Sequence, residues 1–348
     1  MKHYFVILFS FIFCVSVTAQ VKKDPIYYAK LKQPGVKLIS VHEGQYKVFT
    51  QKVGTGKIKL LLLHGGPANG HEYLENFPSH LNKKDVTIYF FEQLGSYYSD
   101  NPLDSTAFTP AAFVEQVEDV RKGLKLDNFY LMGHSWGGML AELYAQKYQK
   151  HIKGLILSNV PGYDFAPKDK LRSFDTELMK NWLETTKSLP AFKDYPRPII
   201  DSVFKGLSIA DPILSKKLHR LVPKALDSMM IRLTYYRLDG PEPEPLARDA
   251  RHIRSKKDNP YLFNLQRIHK QLDYKTALLS LETKTLLLGS ANDYMYSQGY
   301  YDMQKAMTKA KVRVHITPNG SHYAMWDDTS DYFKALKLFL TDVEKGRF

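Results

Sequence analysis

The chain has 348 residues, 44% of them hydrophobic and 24% charged, with a formal net charge of +13. That length exceeds one small core and suits one large α/β domain carrying an insertion, or two domains. The basic excess raises nucleic acid or acidic surfaces as partners. Yet the basic runs (KKD at 22–24, KDKLR at 168–172, RHIRSKK at 251–257) are scattered among acids, and the aromatics form no stacking signature, so no nucleic-acid partner is expected.

At the N-terminus, Lys2 and His3 precede the apolar run YFVILFSFIFCVSV, and Val17-Thr18-Ala19 leads into the polar Gln20. A basic start, an apolar stretch and small residues before a polar one form the pattern of a cleaved export signal. Residues 1–19 are therefore set apart from the fold, and a periplasmic or secreted address is expected. The run of about 14 apolar residues is short for a membrane span, which needs roughly 20. No stable membrane anchor is expected after cleavage. The single cysteine, Cys14, lies in this segment. The mature chain then has no thiol, which excludes disulfides, a cysteine nucleophile and thiolate metal sites.

Further along, short β-rich apolar runs alternate with helical patterns from about residue 36 to 160. VKLISV, QYKVFTQKV, IKLLLLHG, VTIYFF, NFYLMG and IKGLILSN are the strand candidates of this block. Runs such as LLLL and LILS are apolar on consecutive positions, as a strand buried on both faces requires. Thr109-Pro110 predicts a helix start, with Phe113, Val114, Val117, Val120 and Leu124 behind it at helical spacing. Trp136, Met139, Leu140, Leu143 and Tyr144 predict a second helix directly behind Ser135. Between 161 and 281 strand-like runs vanish, prolines cluster and amphipathic helical patterns dominate, so this stretch is expected to be a mostly helical cap. KTLLLGS and VRVHITP then resume the strands. The expected organisation is a core of residues 20–160 and 282–348, an α/β fold with a mostly parallel sheet and helices on both faces, interrupted by the cap.

The chemistry gathers at strand ends. NFYLMGHSWGGML is a strand, then Gly133-His134-Ser135-Trp136-Gly137, then a helix. The nucleophile of such an elbow sits on a strained turn where backbone segments pass so closely that a Cβ at 133 or 137 would clash. The helix behind it aims its first amides at the site, favouring developing negative charge. A serine nucleophile needs a base, and the base needs an orienting acid. In the elbow fold these follow in the order serine, acid, histidine. Asp293 falls just past one strand and His322 just past the next, at the same sheet edge as Ser135. The competitors fit less well: Asp302 lies in a helical pattern, Asp327 and Asp328 at the start of the last helix, and His315 inside a strand. His134 is expected to be structural. No His-rich or HExxH spacing points to a metal, and no cofactor is expected.

LLLLHGGPANG, 60–70, supplies an oxyanion loop after a strand. The backbone amides of Gly66 and Trp136 are the expected donors. Pro67 has no N–H to give, and Gly65 is the fallback.

Four segments together carry a family likeness: His64-Gly65-Gly66-Pro67, Phe91-Glu92-Gln93-Leu94-Gly95, Gly133-His134-Ser135-Trp136-Gly137-Gly138-Met139-Leu140-Ala141 and Gly320-Ser321-His322. They resemble the prolyl aminopeptidase (proline iminopeptidase) family of α/β-hydrolases. The resemblance implies a metal-free serine exopeptidase releasing an N-terminal residue, often proline, from short peptides, with Ser135 as nucleophile, Asp293 as orienting acid and His322 as general base. An esterase or amidase of the same fold, acting on a neutral small molecule, is the alternative. Family members bind the substrate's free amine with cap carboxylates. At the nearest counterpart of one such segment, Asn259-Pro260-Tyr261-Leu262-Phe263, Leu262 stands in the acid's place. Asp239, Glu242 and Glu244 in DGPEPEP are candidates to supply that charge, against the plainer reading of a solvent-exposed loop. Substrate-binding expectations thus fall on Glu242 and Glu244.

Overall fold

The computed structural model describes residues 25–67, 69–161, 243–253, 259–262, 274–293 and 299–348. The expected signal segment and most of the expected cap lie outside the described residues. Among those described, no helix is long and apolar enough to cross a membrane.

A short helix α1 (Pro25–Leu31) leads into β1 (Val36–Val41) and β2 (Tyr46–Val53), an antiparallel hairpin. Its turn uses positive φ at His42, Glu43 and Gly44. The chain continues through β3 (Ile58–Leu63), α2 (Phe77–His80), β4 (Val86–Phe91), α3 (Pro110–Gly123), β5 (Phe129–His134), α4 (Trp136–Tyr148) and β6 (Ile152–Ser158). From residue 243 onward the described elements are α5 (Glu244–His252), α6 (Tyr274–Leu279), β7 (Thr285–Ser290), α7 (Gly299–Ala306), β8 (Val312–Thr317), α8 (Ala324–Asp327) and α9 (Thr329–Glu344). Thr109 caps α3 as its sequence predicts, its side chain accepting from the Ala112 amide.

The strands form one eight-stranded sheet in the order β1-β2-β4-β3-β5-β6-β7-β8. β2 pairs antiparallel with both β1 and β4, and every pairing from β4 to β8 is parallel. Because side chains alternate across a strand, the consecutive leucines of β3 serve two cores at once. Leu61 and Leu63 pack with Phe113, Val117, Met139, Leu140 and Tyr144 of α3 and α4. Leu60 and Leu62 pack with Phe77, Leu336, Phe339 and Leu340 of α2 and α9. Each such fully buried leucine contributes about 1.5–3 kcal/mol, so the apolar run closes helices onto both faces of the sheet. α6 belongs to the same packing: Tyr274 and Leu278 are buried in the cluster that holds α4. This helix, at the end of the expected cap segment, therefore lies in the core's helical layer.

The chain runs from β3 to β4 on one side, then returns to β5 on the other. A crevice opens where the strand order reverses, outside the carboxyl ends of β3 and β5. The loops leaving these two strands are HGGP and GHSWGG.

Candidate active site

Ser135 follows β5 directly and has φ 54° and ψ −125°, a conformation that a residue with a Cβ rarely adopts. The turn is held by the Ser135 amide donating to Ser158 O at 2.9 Å and by the Gly138 amide donating to Ser135 O at 2.9 Å. Two glycines make the crossing possible. A Cβ at Gly133 would collide with the Gly137 carbonyl, and one at Gly137 would lie 2.5 Å from His64 O. The elbow and the end of β3 are in backbone contact, which sets Ser135 beside the HGGP loop. A Cβ built on Gly65 would sit 3.1 Å from Ser135 Cβ.

Asp293 and His322, 29 residues apart in sequence, meet at the carboxyl edge of β7 and β8. His322 Nδ1 lies 3.1 Å from Asp293 Oδ1 and 3.2 Å from Oδ2. Asp293 is fully buried and His322 nearly so. Asn159, just past β6, donates from Nδ2 to Asp293 Oδ2 at 2.7 Å, to Ser290 Oγ at 2.9 Å and to Ser321 O at 3.1 Å. Ser321 is held in turn by Asp327, whose Oδ2 accepts from the Ser321 amide at 3.0 Å. Asp327 therefore anchors the histidine loop, and His315 pairs with Asp331 at 2.6 Å on the flank of the sheet.

The expected oxyanion loop is fixed by groups whose proton positions follow from their partners. His64 Nε2 accepts from the Gln93 amide at 3.0 Å, so Nδ1 carries the hydrogen and donates to Gly65 O at 2.8 Å. Burial lowers the His64 pKa to about 4 and keeps the ring neutral. Holding Gly65 O fixes the peptide plane shared with the Gly66 amide, whose N–H points the opposite way. The Gly65 amide is engaged elsewhere, donating to Tyr73 Oη at 2.7 Å. That contact engages the fallback donor, while Gly66, the expected donor, has a φ of 111° that demands glycine. Trp136 opens α4, where a first-turn amide has no carbonyl within its own helix. Its indole donates to Gln93 Oε1 at 2.9 Å, while Gln93 Nε2 donates to His64 O at 2.9 Å. One glutamine thus ties the elbow to the oxyanion loop.

His134, expected to be structural, has a partner at each ring nitrogen. Its Nε2 contacts His322 O at 2.8 Å and its Nδ1 contacts Tyr73 Oη at 3.0 Å.

The substrate-binding expectations fare differently. Glu242 and Asp239 lie outside the described residues. Glu244 is exposed at the start of α5 and spends its carboxylate on Arg248 (2.6 Å) and Arg251 (3.1 Å), as a first-turn acid of a helix does. Leu262 is fully buried, and its Cδ2 would meet a Cβ on Gly95 at 2.8 Å. A leucine stands there because the position faces apolar packing.

α5 is docked on the segment that follows the oxyanion loop. Buried Glu72 accepts from Arg248 Nε at 2.7 Å, His252 Nδ1 at 2.6 Å and Tyr98 Oη at 3.1 Å. Arg248 also pairs with Glu75. Asp249 accepts from the Gly70 amide at 3.0 Å. Burial, reinforced by Glu72 and Glu92, pushes its carboxyl well above the usual range. None of this network was visible in the sequence, where its members are up to 180 residues apart.

Among the described residues, His, Cys, Asp and Glu form no group of three that could hold a metal ion. The sheet order, the elbow behind β5 and the buried Asp–His pair past β7 and β8 are those of an α/β-hydrolase. The profile of the alpha/beta hydrolase fold family matches residues 59–329. The proline iminopeptidase of Flavobacterium johnsoniae is 34% identical over 312 residues, covering 86% of this chain and 95% of that protein. That of Elizabethkingia meningoseptica is 34% identical over 316 residues, covering 89% and 99%. The crystal structure of a Mycobacterium smegmatis proline iminopeptidase matches in fold, with a TM-score of 0.64 at 16% identity over 90% of this chain and 100% of that one. The chain belongs to the proline iminopeptidase (prolyl aminopeptidase) family of α/β-hydrolases.

Proposed function

We propose that the protein is a serine exopeptidase that releases an N-terminal residue, proline by preference, from short peptides through an acyl-enzyme. Ser135 Oγ attacks the carbonyl of the first residue while His322 Nε2 takes its proton. Asp293, held by Asn159, keeps the His322 hydrogen on Nδ1 and offsets the charge of the imidazolium. The amides of Gly66 and Trp136 receive the developing oxyanion. His322 then returns the proton to the departing amine, and a water deprotonated by the same ring releases the acyl group. The scheme calls on no metal or cofactor.

The observation that carries this reading is the contact of 3.1 Å between His322 Nδ1 and the buried Asp293, in a chain 34% identical to proline iminopeptidases. With Nδ1 so engaged, Nε2 is the nitrogen left to act as base. Turnover of a prolyl arylamide with a free amine, set against its N-acetylated form and a simple aryl ester, tests the substrate class. A marked preference for the free amine is expected. Equal or better turnover of the blocked amide or the ester turns the reading toward an esterase or amidase. Ser135→Ala is expected to abolish activity, and full activity in that variant overturns the mechanism.

The proposal extends to export, on the strength of residues 1–19 alone. Mass spectrometry of the protein from expressing cells should find a mature N-terminus at Gln20. An intact Met1 in the fractionated cell envelope and medium rejects it.

A further inference from the structure

Three buried hydrogen bonds join the oxyanion loop to the histidine loop. The Gly65 amide donates to Tyr73 Oη at 2.7 Å, Tyr73 Oη lies 3.0 Å from His134 Nδ1, and His134 Nε2 lies 2.8 Å from His322 O. Tyr73 is fully buried, and His134 and His322 are 2% and 5% exposed, so water does not compete for these bonds.

The direction of each bond is determined. His322 O is a carbonyl and only accepts, so His134 Nε2 carries a hydrogen. Burial, and then the neighbouring His322, lower the His134 pKa well below its ordinary value, so the ring is neutral and Nδ1 is bare. Tyr73 must therefore give its only proton to His134 Nδ1, and its oxygen accepts from Gly65. With His134 neutral, no second arrangement of Tyr73 and His134 satisfies all three contacts.

Both ends of the chain matter to the reaction proposed above. One end is the His64–Gly65 peptide, next to the peptide that carries the Gly66 amide. The other is the backbone of His322. We propose that Tyr73 and His134 are positioning residues: a one-directional hydrogen-bonded strut that fixes the base relative to the oxyanion donors. The inference rests on the serine-hydrolase reading of Ser135 and His322. The strut touches no reacting atom and acts by holding two loops from different strands in register. Such alignment is needed because an error of about 1 Å in the reacting geometry costs roughly a hundredfold in rate. His134 also stays uncharged while His322, with ring centroids 4.8 Å apart, takes up a proton during turnover. A cation at His134 would oppose that step.

The test uses the full chain and whichever substrate the wild type turns over, with rates expressed per folded protein from near-ultraviolet circular dichroism. Tyr73→Phe removes one hydroxyl and keeps the ring that packs on Tyr323 at 5.1 Å. We expect kcat to fall roughly 10- to 100-fold with KM within about twofold. His134→Leu should behave alike. His134→Gln, whose amide offers both a donor to His322 O and an acceptor to Tyr73, should recover most of the loss. A residue needed only for folding would lower the yield of folded enzyme without this split between kcat and KM, and without rescue by glutamine. Wild-type kcat in folded Tyr73→Phe, or a His134→Gln variant no better than His134→Leu, overturns the strut. If His134→Leu does not fold, Tyr73→Phe decides alone. Ser135→Ala separates the two ideas: if it is inactive and Tyr73→Phe is normal, the strut alone fails, whereas an active Ser135→Ala removes the reading on which it rests.

Discussion

Asn159 donates to Asp293 across 134 residues of sequence, at 2.7 Å, from a backbone with φ of 49°. The left-handed conformation turns the end of β6 so that the amide reaches over to the carboxylate past β7, and asparagine tolerates that conformation better than most residues. With Oδ2 held, the carboxylate presents a fixed face to His322 Nδ1.

Asn159→Asp keeps a side chain suited to positive φ but replaces the donor by a second carboxylate. The expected outcome is a fall in kcat/KM of about two orders of magnitude, since hydrogen bonds to charged groups are worth about 1.5–3 kcal/mol and the new charge opposes Asp293. Steady-state kinetics with the free-amine arylamide measures it. Activity within threefold of wild type would show that Asp293 is positioned without Asn159.

The elbow makes a stability prediction. In Gly137→Ala the new methyl lies 2.5 Å from His64 O, against backbone in the middle of a packed sheet. Relief requires β3 and α4 to separate. A loss of about 3 kcal/mol or more is expected, at the upper end of overpacking effects, seen in urea denaturation or as failure to accumulate soluble protein. A midpoint equal to wild type would contradict the close crossing of strand and helix.

How much of this was legible beforehand divides along a physical line. The strand candidates from VKLISV to VRVHITP coincide with β1–β8 to within a residue or two at each end, because a buried strand writes its burial into consecutive apolar positions. That Ser135, Asp293 and His322 share the carboxyl edge of the sheet is legible because chain order and strand-end position are one-dimensional properties. Tyr73, Gln93 and Asn159 left no such trace. Each acts through hydrogen bonds to residues distant in sequence, and a lone tyrosine, glutamine or asparagine after an apolar run is ordinary loop chemistry. His134 stands out in the sequence beside Ser135, but its partners, 61 residues before it and 188 after it, do not. The likeness that placed an acid where Leu262 stands carried no information about which way the side chain faces.

Acid should weaken the fold through His64. Burial lowers its pKa to about 4, whereas the unfolded ring titrates near 6.5. Between those values the unfolded chain binds more protons, so stability falls as pH falls from 6.5 to 4, by about 3 kcal/mol in total. His71 does not mask this. Burial works against its protonation, but hydrogen bonds to Glu75 and Glu92 raise its pKa overall, so its contribution is complete below pH 6.5 and is lost only as pH rises. Glu75, lowered to about 2 against its own burial by His71 and Lys30, enters below about pH 4.5. His64→Asn should therefore flatten the dependence of unfolding free energy on pH between 6 and 4.5 by about 1.4 kcal/mol per pH unit. An unchanged slope would mean that His64 is charged in the native state.

Removing the guanidinium that docks α5 should cost more than an ordinary surface pair. Arg248→Met leaves Glu72, with no exposed surface, holding His252 and Tyr98 but no permanent cation. A buried charge stripped of its partner costs about 3–5 kcal/mol. A second change, Glu72→Gln, should restore part of the loss by removing the charge itself. Chemical denaturation of the single and double variants reads both effects, and a stable single variant would show that Arg248 contributes nothing to docking.

The φ of 54° at Ser135 means that the protein stores strain at the side chain on which the proposed reaction depends. Such a backbone costs on the order of 1–3 kcal/mol for a residue with a Cβ and almost nothing for glycine. Ser135→Gly is therefore expected to melt higher than the wild type while being inert. At this position stability and the proposed turnover pull in opposite directions.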